Sequence, residues 1–407
     1  MNIIIATPIL YDAKSPFNHL FQDIIEGFLS DGNQVTRIVA CEKNDNKEYT
    51  YGINNNNIRY VEVIRKKHDK GNIIMRYITD SVTNIRMAWK ILQTKDIDVL
   101  FEDVSYSSFW SVLAARIKGI KVISMIQDVW PDNAVQSGIL TEKSFIYNYF
   151  EAWQKYVYKK SDKLICISED IKEFIIQKGN DKDKISVIYN WGYSDKIIDI
   201  SWDENEFVRK YNLNKDKFYA VYAGNIGKMQ NVEVVVKTAQ KLKDNAGIHF
   251  LIIGNGVERE KIAEMVSIND MANVTMLPMQ PSELATSIYS MAGVNIIPLV
   301  KGGVKTALPS KTGICLSCGS PILLCLEKDS KYAQLIEQTQ SGFAVESDDV
   351  DGAARIISNL SNGTIKIDRE NVWKCFNENF NRAANIEKYK NAVKTCRSST
   401  GDGNHKG

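Results

Sequence analysis

Short, largely apolar runs alternate with amphipathic segments along this chain, and they do so in two series. The first series comprises Ile3–Thr7, Val35–Ala40, Ile58–Ile64, Val99–Glu102, Lys121–Ile126, Lys163–Ser168 and Ile185–Tyr189. Helical patterns lie between them, near Phe17–Ser30, Ile73–Gln93, Ser107–Ile117, Lys143–Lys160 and up to Lys178. A strand with one solvated face alternates apolar and polar residues, whereas a strand that is apolar throughout is covered on both faces. Such strands, separated by helices, build a parallel sheet with helices on either side. The pattern lapses over the charged stretch Asn190–Lys217. It then restarts with Phe218–Ala223, Ile248–Ile253, Val274–Leu277, Gly293–Leu299 and Pro321–Cys325. The chain therefore reads as an α/β protein of two doubly wound domains, 1–195 and 218–375, joined by a linker at 196–217. A helix at 376–396 is expected to pack back toward the first domain, and 397–407 reads as a disordered tail. Doubly wound sheets bind ligands at the carboxyl ends of their strands, so a cleft between two of them is the expected site.

Bulk properties narrow the function. A net charge of +2 over 407 residues gives no electrostatic case for nucleic acid. No apolar run approaches the ~18 residues that span a bilayer, and Met1-Asn2-Ile3 begins directly as a strand without a signal peptide. Seven cysteines without regular spacing fit a reducing cytoplasm. Cys315 and Cys318 form a lone CxxC, better explained by packing than by redox or zinc chemistry.

The loops that follow the second-series strands carry the chemistry. Ala223-Gly224-Asn225-Ile226-Gly227-Lys228 lies between a strand and a helix. Its glycines allow close backbone approach and Lys228 offers a compact cation, although a tight turn with a solvated lysine has the same pattern. Ile253-Gly254-Asn255-Gly256 lacks the full G-x-G-x-x-G and a clearly placed acidic residue beyond it, which argues against a nicotinamide enzyme. Pro309-Ser310-Lys311 opens a small-residue helix that ends at Gly319, with Pro309 expected at the first helical position. The N-terminus of such a helix, beside Lys311, suits a phosphate.

Taken in order, Ala223-Gly-Asn-Ile-Gly, Ile253-Gly-Asn-Gly-Val-Glu, Ile297-Pro-Leu and Pro309-Ser-Lys…Gly319-Ser-Pro resemble the retaining glycosyltransferases of family 4. So do Gln127-Asp128-Val129-Trp130-Pro131-Asp132, Ile167-Ser-Glu169, Ile188-Tyr-Asn190 and Phe207–Tyr211. The resemblance runs from Met1 to about Thr395. Within the family it is nearest to the capsule, O-antigen and colanic-acid enzymes related to N-acetylfucosamine transferases. It implies a GT-B fold of two Rossmann-like domains. It also implies transfer of a sugar, N-acetylated hexosamine or deoxyhexosamine, from a UDP-sugar to a polyprenyl-diphosphate-linked saccharide, with retention and no metal or other cofactor. Carried over by position, Gly224, Asn225, Gly227, Lys228, Pro309, Ser310 and Lys311 would meet the diphosphate. Gly254, Asn255 and Gly256 would pass close to the nucleotide, and Met279 and Gln280 would border its base. Many relatives carry two glutamates eight positions apart here; this chain has Thr306 and Ile314 instead. A sugar-nucleotide 2-epimerase of the same fold and a non-catalytic partner subunit are the alternative readings.

In the first domain Asp128 follows a strand end beside Trp130, where it would either position and deprotonate an acceptor hydroxyl or cap a turn. His19 is an acceptor-side candidate or a structural residue. The segment 65–95 is basic, with Arg65, Lys66, Lys67, Arg76 and Lys90 interleaved with apolar residues and Trp89. That combination reads either as peripheral docking on the inner face of the membrane or as a solvated helix face.

Overall fold

The computed structural model describes residues 1–10, 16–42, 52–66, 73–105, 107–192 and 195–398. The chain divides into two compact units. One comprises Met1–Asp132 and Leu140–Ile188 with the chain from Ala383 on; the other comprises Asn133–Ile139 and Tyr189–Arg382.

The first unit is built on seven strands: β1 (Asn2–Leu10), β2 (Gln34–Cys41), β3 (Ile58–Ile64), β4 (Val99–Asp103), β5 (Lys121–Ile126), β6 (Lys163–Cys166) and β7 (Ile185–Val187). Their order is β3-β2-β1-β4-β5-β6-β7 and every pairing is parallel. Ile3, Ile4 and Ile5 are all buried, although successive side chains point to opposite faces, so both faces of the sheet are covered. The direction of strand addition reverses between β1 and β4, and the crossover from β3 to β4 contains the helix Ile73–Gln93.

The second unit repeats the plan with β8 (Phe218–Ala223), β9 (Ile248–Ile253), β10 (Val274–Leu277), β11 (Val294–Pro298), β12 (Ile322–Cys325) and β13 (Gly342–Val345). The order is β10-β9-β8-β11-β12-β13, again wholly parallel, with the reversal at β8 and β11. Valines 232, 234, 235 and 236 of the following helix join Ala220, Tyr222, Phe250 and Ile252 in its core.

Two local expectations change. Residues 196–217 are not a free linker. Asn205 caps the short helix Glu206–Tyr211, accepting from Val208 N at 3.1 Å and donating to Ser287 O at 2.7 Å. Phe207 and Val208 are buried, Trp202 stacks on Tyr219, and Ile198 N donates to Ser317 O, so this stretch is an integral layer of the second unit. The helix expected from Pro309 begins only at Thr312 and ends at Ser317. Gly319, at φ +64°, closes it as expected. The tail from 399 lies outside the described residues. All seven cysteines are buried and none forms a disulfide.

The terminal helix Arg382–Ser398 lies on the first unit. Tyr389 is buried edge-on against Phe101, and its hydroxyl reaches Met125 Sδ at 3.2 Å. Lys390 and Lys394 each approach a carboxylate oxygen of Asp31 at 2.8 Å. Burial alone would raise the Asp31 pKa, but the two ammonium groups outweigh it and hold the carboxyl below 3.8. The Asp31 contribution is therefore complete above pH 3.8 and is lost as the pH falls through the depressed value. Hydrogen exchange should show the terminal helix loosening in that acid window, and Asp31→Asn should loosen it at neutral pH. Equal protection of the variant at neutral pH would disprove the tether.

Candidate functional site

The loops that follow β8, β9 and β11 are stitched together backbone to backbone. Gly224 N donates to Ile253 O at 2.9 Å, Ile226 N to Asn255 O at 2.8 Å, Gly254 N to Leu277 O at 3.1 Å, and Val300 N to Met229 O at 3.0 Å. This closeness requires glycine. Gly254 and Gly256 have φ of +154° and +159°, and a Cβ on either would collide with the carbonyl oxygen of Gly224 or Ile226, respectively. Gly224, at φ +151°, is tight for another reason: a Cβ there would lie 3.2 Å from Lys311 Nζ.

Lys311 is the charged centre of this arrangement. Its ammonium is buried, has no hydrogen-bond acceptor among the described residues, and sits 4.0 Å from the centroid of the Tyr222 ring. Burial lowers its pKa from 10.5 to about 8. Tyr222 is held in place by its hydroxyl, which donates to Asn225 O. A cation kept out of water without a counter-ion is costly, and an incoming anion relieves the cost. The helix behind it is only six residues long and fully buried, so the lysine rather than a helix end brings the charge.

The other expected donor residues lie in the loops that follow β8, β9, β10 and β11. Lys228 is exposed and opens the turn Lys228–Gln230, while Asn225 Nδ2 donates to Gln230 Oε1 at 3.1 Å, beside Gly227. Asn255 and Gly256 are exposed at the end of β9. Met279 is half exposed beyond β10, and Gln280 accepts from Tyr211 at 2.8 Å and Lys210 at 3.1 Å. Pro309 and Ser310 precede the helix; Pro309 O accepts from Thr312 Oγ1, which also meets the Tyr332 hydroxyl at 2.6 Å. Thr306 and Ile314, at the two glutamate positions, are buried. A carboxylate missed in the sequence serves the same loop: Glu327, just past β12, accepts from Gly302 N. Arg259 also escaped notice; its Nε donates to Gly254 O at 3.2 Å.

In the first unit an acidic group gathers at the carboxyl ends of β4 and β5. Glu102 and Asp103 are buried at the end of β4, and Asp128 follows β5. Burial pushes Glu102 well up; the Ser108 and Ser111 hydroxyls ease this only in part, since they donate to Asp103 O and Asn84 Oδ1. Burial and the Asp128 charge likewise push Asp103 well up. Solvent reaches Asp128, yet surrounding protein depletes its hydration enough to raise it to about 6. Its neighbour Asp132 is structural, bound by Tyr147 at 3.0 Å and Lys178 at 2.8 Å. Trp130 packs edge-on against Phe150, and the Trp130–Pro131 peptide is cis. His19 is exposed on the helix Pro16–Ser30.

The basic segment needs correction at one residue. Arg65 is no free surface charge, because it pairs with Asp80 at 2.6 Å and both side chains are largely buried. Lys66, Trp89 and Lys90 border one groove, while Lys67 and the side chain of Arg76 lie outside the described residues.

Two domain families match this chain. Residues 19–191 match Glycosyltransferase Family 4, and residues 203–374 match Glycosyl transferases group 1. Together the two matches span most of the chain, and its two parallel sheets are those of the GT-B fold. A probable glycosyltransferase WbjE from Pseudomonas aeruginosa is 22% identical over 60% of this chain and 60% of its own. A putative colanic acid biosynthesis glycosyl transferase WcaI from Escherichia coli (strain K12) is 24% identical over 57% and 58%. The chain thus matches about three fifths of the length of these curated relatives. The structure of Anabaena Alr3699/HepE in complex with UDP-glucose superposes with a TM-score of 0.69 at 11% identity, covering 97% of this chain and all of that one. Among the described residues no helix is long and apolar enough to cross a membrane, and no group of three metal-ligating side chains occurs.

Proposed function

We propose that this protein transfers a glycosyl group from a UDP-sugar to a saccharide acceptor in surface polysaccharide synthesis. The observation that carries the reading is the buried ammonium of Lys311, without an acceptor among the described residues, beside the glycine crossing of the β8 and β9 loops. A departing diphosphate gains negative charge, and a fixed desolvated cation favours that charge more than it favours the intact donor. Lys228 adds a second, solvated cation, so the chain itself supplies positive charge to offset that of the leaving diphosphate. In the step, the bond from the anomeric carbon to the β-phosphate oxygen breaks, and an acceptor hydroxyl oxygen bonds to that carbon. The hydroxyl proton passes to the leaving phosphate or to a carboxylate, and UDP departs.

The donor sugar is assigned as an N-acetylated hexosamine or deoxyhexosamine and the acceptor as a polyprenyl-diphosphate-linked saccharide from the motif resemblance to capsule, O-antigen and colanic-acid enzymes, while the likeness to WcaI supports only the polysaccharide setting. Retention follows from the same motif resemblance. Buried Thr306 and Ile314 provide no carboxylate for the sugar, so its hydroxyls must find other acceptors, and Glu327 beside Gly302 is the assigned one.

The test is UDP release from a panel of UDP-sugars, with and without a lipid-linked saccharide. Release that requires the acceptor, together with elongation of that acceptor, supports transfer. Interconversion of the donor sugar without acceptor makes the protein an epimerase, and UDP binding with neither reaction makes it a partner subunit. Asp128 is assigned to the acceptor hydroxyl. Because its carboxyl is raised to about 6, the ionised form accumulates above that pH and acceptor-dependent turnover should climb through it. Asp128→Asn should lower turnover roughly tenfold, the value of one charge-assisted hydrogen bond, and flatten this limb. A variant that keeps the limb would remove Asp128 from the reaction.

A further inference from the structure

The helix Ile73–Gln93 of the first unit exposes large apolar side chains while burying polar ones. Beside the apolar Met87, Ala88 and Ile91, its buried face carries Thr79, Asp80, Thr83 and Asn84. These polar groups are satisfied locally. Asn84 Nδ2 donates to Ser107 Oγ at 2.9 Å, Ser111 Oγ donates to Asn84 Oδ1 at 2.7 Å, Thr83 donates to Thr79 O at 2.7 Å, and Asp80 holds Arg65. Its outward face carries Met75, Ile78, Val82, Ile85 and Trp89, exposed by 41% to 60%. Steps of three, four, three and four residues align them into one stripe ~20 Å long.

A groove of about 770 Å³ runs beside the stripe, between this helix, β3 and the helix Phe109–Ile117. Its walls are apolar, among them Val63, Ala88, Leu92 and Leu113, and the exposed Ile64 and Ile117 stand on opposite sides of it. The charged residues on its border are Lys66, Arg86 and Lys90 against Glu62. At the other end of the stripe, Tyr77 meets Phe150 edge-on, which ties in the helix Phe145–Lys160. That helix adds exposed Phe145, Ile146 and Tyr149. An apolar surface this continuous marks an interaction site.

We propose that this face docks on an anionic lipid bilayer, with the aliphatic stripe lying in the interface and Lys66, Arg86 and Lys90 on headgroup phosphates. Charge decides between this and a second copy of the chain. Two copies meeting through the stripe would bring three cations against three, with one Glu62 on each side to offset them, whereas an anionic headgroup layer meets them with opposite sign. Trp89 and Tyr149 carry the amphipathic rings that settle at headgroup level, and the long basic side chains can reach past the stripe to phosphate. The docking does not depend on the transfer reaction and is read out without it.

The experiment is co-sedimentation of the full chain with vesicles of phosphatidylglycerol and phosphatidylcholine against vesicles of phosphatidylcholine alone, at low and high salt. Binding should favour the anionic vesicles and fall as salt rises. Ile85→Ser with Trp89→Ser should weaken it about tenfold or more at an unchanged melting temperature, because both side chains face solvent. Should that variant misfold, Lys66→Glu with Lys90→Glu provides the second arm, each reversed charge weakening binding roughly fivefold or more. Equal binding to both vesicle types, or undiminished binding by the variants, overturns the proposal. So does a dimer in sedimentation that Ile85→Ser with Trp89→Ser dissolves, since the stripe then belongs to a second copy.

Discussion

Lys311→Met should reduce acceptor-dependent UDP release by about a hundredfold or more, the cost of removing one preorganised group that stabilises developing negative charge. Methionine keeps most of the volume and removes the ammonium, so the loss reports charge rather than packing. Stability should move the other way or stay level, because an unpaired cation leaves the protein interior. The pH dependence separates the two effects. Burial lowers the Lys311 pKa from 10.5 to about 8, so between these values the unfolded chain holds a proton that the folded chain has released. Wild-type stability should therefore gain from this group as pH rises from 8 to 10.5, and the variant should lack that gain. UDP affinity should show the reverse trend, falling above pH 8 as the ammonium is lost, with proton uptake on binding in that range. Calorimetric titration of UDP across pH 7 to 10 measures both. A variant with wild-type turnover, or a wild-type affinity flat across that range, would end the assignment of Lys311 to the diphosphate.

The two sheets were legible because a parallel strand buried on both faces shows in sequence as an unbroken apolar run, as Ile322–Cys325 does. The Lys311 neighbourhood was legible in outline, since glycines at strand ends and a nearby lysine are local signals. What makes Lys311 unusual was not. Burial lowers its pKa, and the Tyr222 ring and Gly224 that stand over it come nearly ninety residues earlier in the chain. The start of the helix at Thr312 was missed for a similar reason: the turn before it is anchored by Tyr332, from a later helix. Arg65 and Asp80 show the limit of counting charges, since a basic run reads as a surface until the partner fifteen residues away buries one of its members. Asp103 escaped because a carboxylate ending an apolar run looks like an ordinary turn residue. Only the register of β4 against β5, which sets Asp103 opposite Met125, brings it near Asp128.

Gly254→Ala should destabilise the second unit by about 3 kcal/mol or more and remove UDP binding with it. Two costs combine at this position. A φ of +154° is one that L residues rarely adopt, and the new methyl would overlap Gly224 O. The obstacle is backbone, so no side-chain rotation can relieve it. Gly224 is itself pinned, donating its N–H to Ile253 O at 2.9 Å, and its neighbour Asn225 offers its carbonyl to the Tyr222 hydroxyl. Relief must therefore come from separating the β8 loop from the β9 loop, which moves Tyr222 from beneath Lys311. Gly247→Ala is the control, because its Cβ would meet only the Asn245 side chain at 3.3 Å in an exposed turn, and it should cost less than about 1 kcal/mol. Thermal unfolding and UDP titration of both variants test the argument. If Gly254→Ala melts with the control and binds UDP normally, the crossing of these two loops is not what holds the lysine in place.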